Sequence, residues 1–208
     1  MNYIENLVPQ MWYNNSMDNT VGSLTQVQKS VLIGSLLGDG YVRIVPGRRD
    51  AFMEVNHSIA QKEYVDWKYK MLGNIVSGLP KRYKNNGKRI GYRFNTRQHP
   101  GITKLFKTFY RDGKKIIPEI ILNPLILAVW YMDDGSKCGH SSYYLNTQQF
   151  SFSDQEKLLI LLKTKELQAG LNRDKKYWRI RFLMSSVPRL KKLVRNTVIP
   201  SLQYKLGL

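Results

Sequence analysis

LIGSLLGDG (residues 32–40) recurs in altered form as LAVWYMDDG (127–135), each an apolar run that ends in Asp-Gly. Set in register, Asp39 falls on Asp134, a step of 95 residues (134 − 39) in a chain of 208, so the chain divides into two halves of similar length. One acidic group per half is the pattern of an active site with two-fold character.

The residues around each motif predict a helix. Thr25 with Gln28 three residues later is a capping-box signature, and Val27, Val31, Leu32, Leu36 and Leu37 follow at helical spacing, which predicts a helix over 26–38. Asn123-Pro124 supplies an N-cap and a first-turn proline, and Leu127, Trp130, Tyr131 and Met132 carry a second helix over 124–133. Both are expected to stop at Gly40 and Gly135, where the chain leaves the helix through a backbone angle that favours glycine. Small residues at Gly34, Ser35 and Ala128 would let the two helices approach closely at a central two-helix interface.

After each helix the period changes from 3.6 to 2. Over 89–97, Arg89, Arg93, Asn95 and Arg97 share one face while Ile90, Tyr92 and Phe94 share the other, which predicts a strand with a cationic face. Over 177–182, Tyr177, Arg179 and Arg181 alternate with Trp178, Ile180 and Phe182 in the same way. Adding 93 to first-half numbers sets Glu54, Asn56 and Ser58 on Thr147, Gln149 and Ser151 as an outward polar row, with Ile59 on Phe152 inside. Turn signals at Pro46-Gly47 and Asn85-Asn86-Gly87 close two hairpins. A helix over 61–72 is matched by one over 154–168 after Ser153, a further N-cap. The expected fold is therefore α+β, two pseudo-symmetric αββαββα halves with antiparallel sheets. The expected divisions are a lead-in over 1–22, a first half over 23–110, a connector over 111–123 and a second half over 124–208.

Charge indicates the partner. The 33 Lys and Arg against 15 Asp and Glu give a formal net charge of +18, spread along the chain among 13 Tyr, as on a folded surface made for a polyanion, nucleic acid first. No run of 18 apolar residues exists, and Asn14, Asn15 and Asp18 interrupt any signal-peptide core, so no membrane partner is expected. The single Cys138 cannot form an internal disulfide. His57, His99 and His140 show no zinc spacing and read as packing or surface residues.

Two acids at helix C-termini oppose the helix dipole at about 0.3–1 kcal/mol each, so a cation should accompany them. A divalent ion such as Mg²⁺ answers, because carboxylates and helix-end carbonyls are hard oxygen donors.

The paired LIGSLLGDG and LAVWYMDDG, 95 residues apart and followed by basic alternating strands, resemble the signatures of the LAGLIDADG homing endonucleases in their single-chain, two-repeat, intron-encoded form. The resemblance runs from about Thr25 to the C-terminus. It implies two saddle-shaped sheets astride the DNA major groove, a long asymmetric target, and staggered cleavage that leaves 3′ overhangs. It gives Asp39 and Asp134 the role of metal ligands, with Gly38 and Asp133 lending backbone carbonyls. Lys115 of KKIIP and Lys205 of QYKLGL correspond to the family's active-site lysines, placed to polarise the attacking water or stabilise phosphorane charge. Gln61 and Lys62 of IAQK, and Lys137 after the second motif, resemble further residues sent to the cleavage centre. Mg²⁺ is the implied cofactor, with Mn²⁺ substituting and Ca²⁺ binding without turnover.

Double-stranded DNA is then the expected ligand. Base edges fall to the outward row: Arg43, Arg93, Arg97, Arg179 and Arg181 for guanines and Asn56, Asn95 and Gln149 for adenines. Glu54, Ser58, Lys81, Arg82, Arg89, Thr147, Ser151, Lys175, Lys176 and Tyr177 complete the expected DNA contacts. A monomer is expected because both halves lie in one chain, and the resemblance suggests an organellar address, mitochondrion or chloroplast. The same fold serves as an RNA-splicing maturase, which makes the chain's own intron RNA the rival ligand, or as a non-catalytic sequence-specific DNA-binding protein.

Overall fold

A computed structural model describes residues 23–84 and 90–208. The expected lead-in over 1–22, the Asn85-Asn86-Gly87 turn and Arg89 lie outside the described residues. The chain forms two compact units, the first ending at Thr108 and the second beginning at Phe109.

In the first unit the order is α1 (Gln26–Leu37), β1 (Tyr41–Arg43), β2 (Phe52–Ser58), a 3₁₀ turn (Ile59–Gln61), α2 (Lys62–Leu72), β3 (Lys81–Lys84), β4 (Ile90–Asn95) and α3 (Pro100–Phe109). A small ribbon of β5 (Tyr110–Arg111) and β6 (Lys114–Lys115) follows. The second unit then repeats the pattern with α4 (Pro124–Asp134), β7 (Gly135–Cys138), β8 (Ser142–Leu145), α5 (Phe152–Lys163), β9 (Ala169–Asp174), β10 (Tyr177–Phe182) and α6 (Val187–Val194), and a 3₁₀ helix (Pro200–Leu206) comes last. The sheets are antiparallel with strand orders β1-β2-β4-β3 and β7-β8-β10-β9. Equivalent strands therefore occupy equivalent places, and the fold is α+β with two pseudo-symmetric halves, as the repeat predicts.

Local chemistry explains the helix boundaries. Thr25 Oγ1 accepts from the Gln28 amide at 3.1 Å while Gln28 Oε1 accepts from the Thr25 amide at 3.0 Å, completing the capping box. The same Gln28 is buried and donates through Nε2 to Leu72 O (2.8 Å) and Asn74 Oδ1 (2.9 Å), so one residue starts α1 and ties it to the end of α2. Asn123 Oδ1 accepts from the Ile126 amide at 2.8 Å and starts α4.

The two motif glycines serve a different purpose from the one expected. Neither has positive φ, and Gly135 is extended at φ −67°, ψ 141°. What requires glycine is close approach: a Cβ on Gly40 would lie 2.6 Å from Ser35 O, and one on Gly135 would strike Tyr131 O. Glycine lets the chain fold back over the last turn of each motif helix. The left-handed angle appears at Gly47 (φ +77°), in the first hairpin turn.

The second-half register differs from the expected one. Tyr41, two residues past Asp39, pairs with Glu54, and Ser136, two past Asp134, pairs with Tyr144. The offset between β2 and β8 is thus 90, not 93, and an odd slip moves every side chain to the other face. Asn56 corresponds to Asn146 and His57 to Thr147. No strand spans 147–152 and Ser153 is not the cap: Ser151 Oγ accepts from the Asp154 amide at 3.1 Å, and α5 starts at Phe152, which is exposed, and ends at Lys163 rather than 168.

Asp154 links α5 to the segment before α4. Its Oδ1 accepts from the Ile117 amide (3.2 Å) and Lys157 Nζ (2.9 Å), and its Oδ2 from Ser151 Oγ (2.7 Å). Burial alone would raise its pKa, but these donors outweigh burial and hold the carboxyl below its usual value of 3.8. A depressed folded pKa adds stability above the unfolded value that is lost as pH falls through the folded one. Asp154→Asn should therefore be less stable at neutral pH and show a flatter stability curve below about pH 4, read by denaturant unfolding at stepped pH.

Candidate active site and nucleic-acid interface

Each motif acid sits where a helix ends. In the first unit, Gly38 caps α1, its amide donating to Gly34 O (3.2 Å) and Ser35 O (3.1 Å), and Asp39 follows with its side chain 56% exposed. No basic residue occupies the last turn of α1. The nearest ionisable partner shown is His57 on β2, with Nδ1 3.9 Å from Asp39 Oδ2. From sequence His57 is expected to be a packing or surface residue, because a separation of 18 positions from Asp39 carries no local signal.

In the second unit Asp133 and Asp134 are the last residues of α4, and both are buried. Asp134 O accepts from the Asn146 amide (3.0 Å) and Nδ2 (2.9 Å). Lys205 is also buried, and its Nζ donates to Met132 O (2.6 Å) and Asp133 O (2.9 Å). The Asp133 carbonyl expected to face a metal thus receives the lysine, which supplies the cationic group that the end of α4 requires. Tyr131 Oη donates to Lys205 O at 2.8 Å, and burial first, then the neighbouring Tyr143, pushes the Tyr131 pKa above the usual phenol range. Each carboxylate, the accessible one of Asp39 and the buried one of Asp134, is a hard oxygen donor of the kind a divalent ion accepts.

The other expected catalytic residues are placed less uniformly. Lys115 is half-buried on β6 with Nζ 5.9 Å from the Phe150 ring centre. Gln61 is half-buried at the start of α2, where its side chain makes no cap hydrogen bond. Lys62 is turned to Asp66 on its own helix, and the Tyr92 ring lies 5.2 Å from its Nζ. The hydrogen bond with Asp66 raises the Lys62 pKa against a smaller opposing effect of burial. Lys137 shares a face with buried Tyr143, and its stem lies over Gly207, where a Cβ would come within 2.7 Å of Lys137 Cδ.

The polar faces of the two sheets are built from arginines resting on aromatic rings. On the first sheet Arg43 lies over Phe52 at 5.0 Å and Arg93 over Tyr83 at 4.0 Å. Arg93 also lies 3.8 Å from Glu54, and Asn56 Nδ2 donates to Tyr83 Oη at 2.8 Å. Pairing places Lys81 beside Arg93 and Asn95 beside Glu54, whereas Arg82 pairs with buried Tyr92 and so faces the opposite side, against expectation. Arg97 is exposed, with Nε donating to Val76 O at 3.1 Å, and Ser58 Oγ accepts from the Ala60 amide at 3.4 Å.

On the second sheet Arg179 lies over Tyr144 at 3.9 Å and reaches Asn146 Oδ1 at 3.5 Å, while Arg181 donates to Ser142 Oγ at 3.3 Å. Tyr177, Lys175 and Lys176 are exposed at the β9–β10 turn. Thr147 is a correction: it is fully buried, and its hydroxyl donates to Gln155 Oε1 at 2.9 Å. Gln149 and Ser151 are exposed in the loop and cap before α5, outside the strand row. On β8 and just after it, the face shared with Arg179 and Arg181 carries Ser142, Tyr144 and Asn146 instead.

Two halves, each with an acid at the end of an apolar helix and an arginine-rich antiparallel sheet, define a class of two-repeat proteins with one motif acid per repeat. Residues 29–190 match the LAGLIDADG DNA endonuclease family, and the chain belongs to that family. Among its relatives, the cytochrome b mRNA maturase bI2 of Debaryomyces hansenii is 30% identical over 85% of this chain and 72% of that protein. The probable intron-encoded endonuclease 1 of Wickerhamomyces canadensis is 28% identical over 88% of this chain and 85% of that protein. In structure, the homing endonuclease I-WcaI bound to its DNA recognition sequence superposes with a TM-score of 0.82 at 25% identity, covering 93% of this chain and 96% of that one. Among the described residues, no helix is long and apolar enough to cross a membrane.

Proposed function

We propose that this protein is a site-specific double-stranded DNA endonuclease that uses a divalent metal to hydrolyse one phosphodiester per strand at a long asymmetric target, leaving 3′ overhangs. The observation that carries the reading is the equivalent placement of Asp39 and Asp134, each directly after or within the end of a motif helix, in halves whose sheets present stacked arginines. A bound divalent ion, Mg²⁺ or Mn²⁺, supplies Lewis-acid polarisation of the scissile phosphate, and Ca²⁺ would bind without turnover.

The chain's own residues do the rest. Asp39 and Asp134 would each hold a divalent ion at the end of its own motif helix. Lys205 neutralises the α4 end, and Lys115 offers a cation for the phosphorane charge. Arg43, Arg93, Arg179 and Arg181 read bases from the sheet faces, with less rotational freedom to lose because aromatic rings or hydroxyls already support them. The net charge of +18 gives a steep fall of affinity with salt. The protein is read as a monomer that acts in the organelle carrying its intron, in keeping with relatives named for an intron and for a cytochrome b messenger.

The test is cleavage by purified protein of DNA spanning the host gene's uninterrupted insertion site. Mg²⁺-dependent cuts on both strands are expected, with none in EDTA. Intact DNA across Mg²⁺, Mn²⁺ and Co²⁺ would sink the nuclease reading. The relative named as a maturase makes intron RNA the rival ligand, so splicing of the host intron by the same preparation, unaffected by Asp39→Asn, is the outcome that favours the other activity.

A further inference from the structure

His57 lies on the buried face of β2, its side chain 5% exposed, with Nδ1 3.9 Å from Asp39 Oδ2. Two donors on one first-row divalent ion, each at about 2.1 Å, stand at most about 4.2 Å apart, so this pair is already within the span of one coordination sphere. Asp39, 56% exposed, has room to adjust. The imidazole does not: its ring packs on Tyr64 with centroids 5.2 Å apart, and Lys68 Nζ sits 4.5 Å from the same Tyr64 ring. For packing alone phenylalanine would serve on this face. What a hydrocarbon lacks is a ring nitrogen aimed at the motif acid.

The second half has no counterpart. Strand register puts Thr147 at the position of His57, and its hydroxyl is committed to Gln155 Oε1. The two halves are therefore chemically unequal at equivalent places.

We propose that His57 is a metal ligand of the first half, which makes that half-site carboxylate plus imidazole while the Asp134 half offers oxygen donors alone. The proposal rests on the reading of Asp39 as a metal ligand. An imidazole nitrogen is a softer donor than water or carbonyl oxygen and favours Mn²⁺, Co²⁺ and Zn²⁺, whereas Mg²⁺ and Ca²⁺ gain little from it. The first half-site is thus selective among divalent ions and the second is not.

The test uses the full chain without DNA, in an Asp134→Asn background so that the first half-site is the one read. Mn²⁺ and Ca²⁺ are titrated separately by calorimetry, and pulsed electron paramagnetic resonance of the Mn²⁺ complex reports nitrogen in its first sphere. The expected result is nitrogen modulation with His57 present, lost in His57→Phe. Mn²⁺ affinity should fall about tenfold and Ca²⁺ affinity less than twofold. Absence of nitrogen modulation with His57 present, or equal losses for both ions in His57→Phe, overturns the proposal. Asp39→Asn separates the two ideas: if it leaves both ions bound as before, the reading of Asp39 fails. If it removes both while His57→Phe changes neither, only the role of His57 fails. Should His57→Phe not fold, the nitrogen signal of the protein that retains His57 decides alone.

Discussion

Asp39→Asn should reduce cleavage by about a thousandfold or more while leaving the protein slightly more stable and its DNA affinity undiminished. A metal at the scissile phosphate is worth several kcal/mol of transition-state stabilisation, and about 4 kcal/mol is three orders of magnitude in rate. The amide has the shape of the carboxylate but neither its charge nor its affinity for a divalent ion. The stability gain follows from position. Asp39 faces the negative end of α1, whose last turn has no basic residue, so removing its charge relieves about 0.3–1 kcal/mol, nearer the lower figure because the side chain is largely exposed. DNA affinity should hold or rise, since a negative charge near phosphates has been removed. Cleavage assays, gel shifts with Ca²⁺ and denaturant unfolding on one preparation check all three. Retained cleavage, or a loss of stability beyond about 1 kcal/mol, would mean that Asp39 is a structural cap.

Lys205→Met should destabilise the second unit by about 3 kcal/mol. The lysine Nζ donates to Met132 O and Asp133 O at the end of α4, and its own carbonyl accepts from Tyr131 Oη. One residue thus holds the Pro200–Leu206 helix against the motif helix. Methionine fills similar volume with no donor, so two buried carbonyls lose a partner at about 1–3 kcal/mol each, partly offset by relaxation. The loss should appear as a lower midpoint in thermal or denaturant unfolding, and cleavage should fall with it because Asp134 is carried on the same turn. A variant with unchanged stability and lost cleavage would show that Lys205 acts on the phosphate and not on the helix.

Much of this organisation is legible in the order of residues. The capping box at Thr25, the Asn123-Pro124 start and the alternation in Tyr177–Phe182 are local rules, and each matches an observed element boundary or face. The second-half strand escapes the repeat because the connection between β7 and β8 is shorter than that between β1 and β2: the offset is 95 at Tyr41 and Ser136 but 90 at Glu54 and Tyr144, so adding 93 carries a three-residue error. Thr147, Gln149 and Ser151 are then assigned the places of Tyr144, Asn146 and Gln148. Arg82 failed for a related reason: on a short edge strand, exposure does not reveal the face, and only the pairing with Tyr92 does.

The two-fold repeat, the motif acids and the polyanion partner are legible in residue order and composition, because helical and strand periodicity, capping chemistry and net charge are properties of neighbouring residues or of the whole chain. Tertiary structure alone decided the register of β8, the seat of Lys205 on the carbonyls of α4, and the approach of His57 to Asp39. These depend on which segments fold back on which, and a contact between residues 18 or 72 positions apart leaves no trace in local pattern.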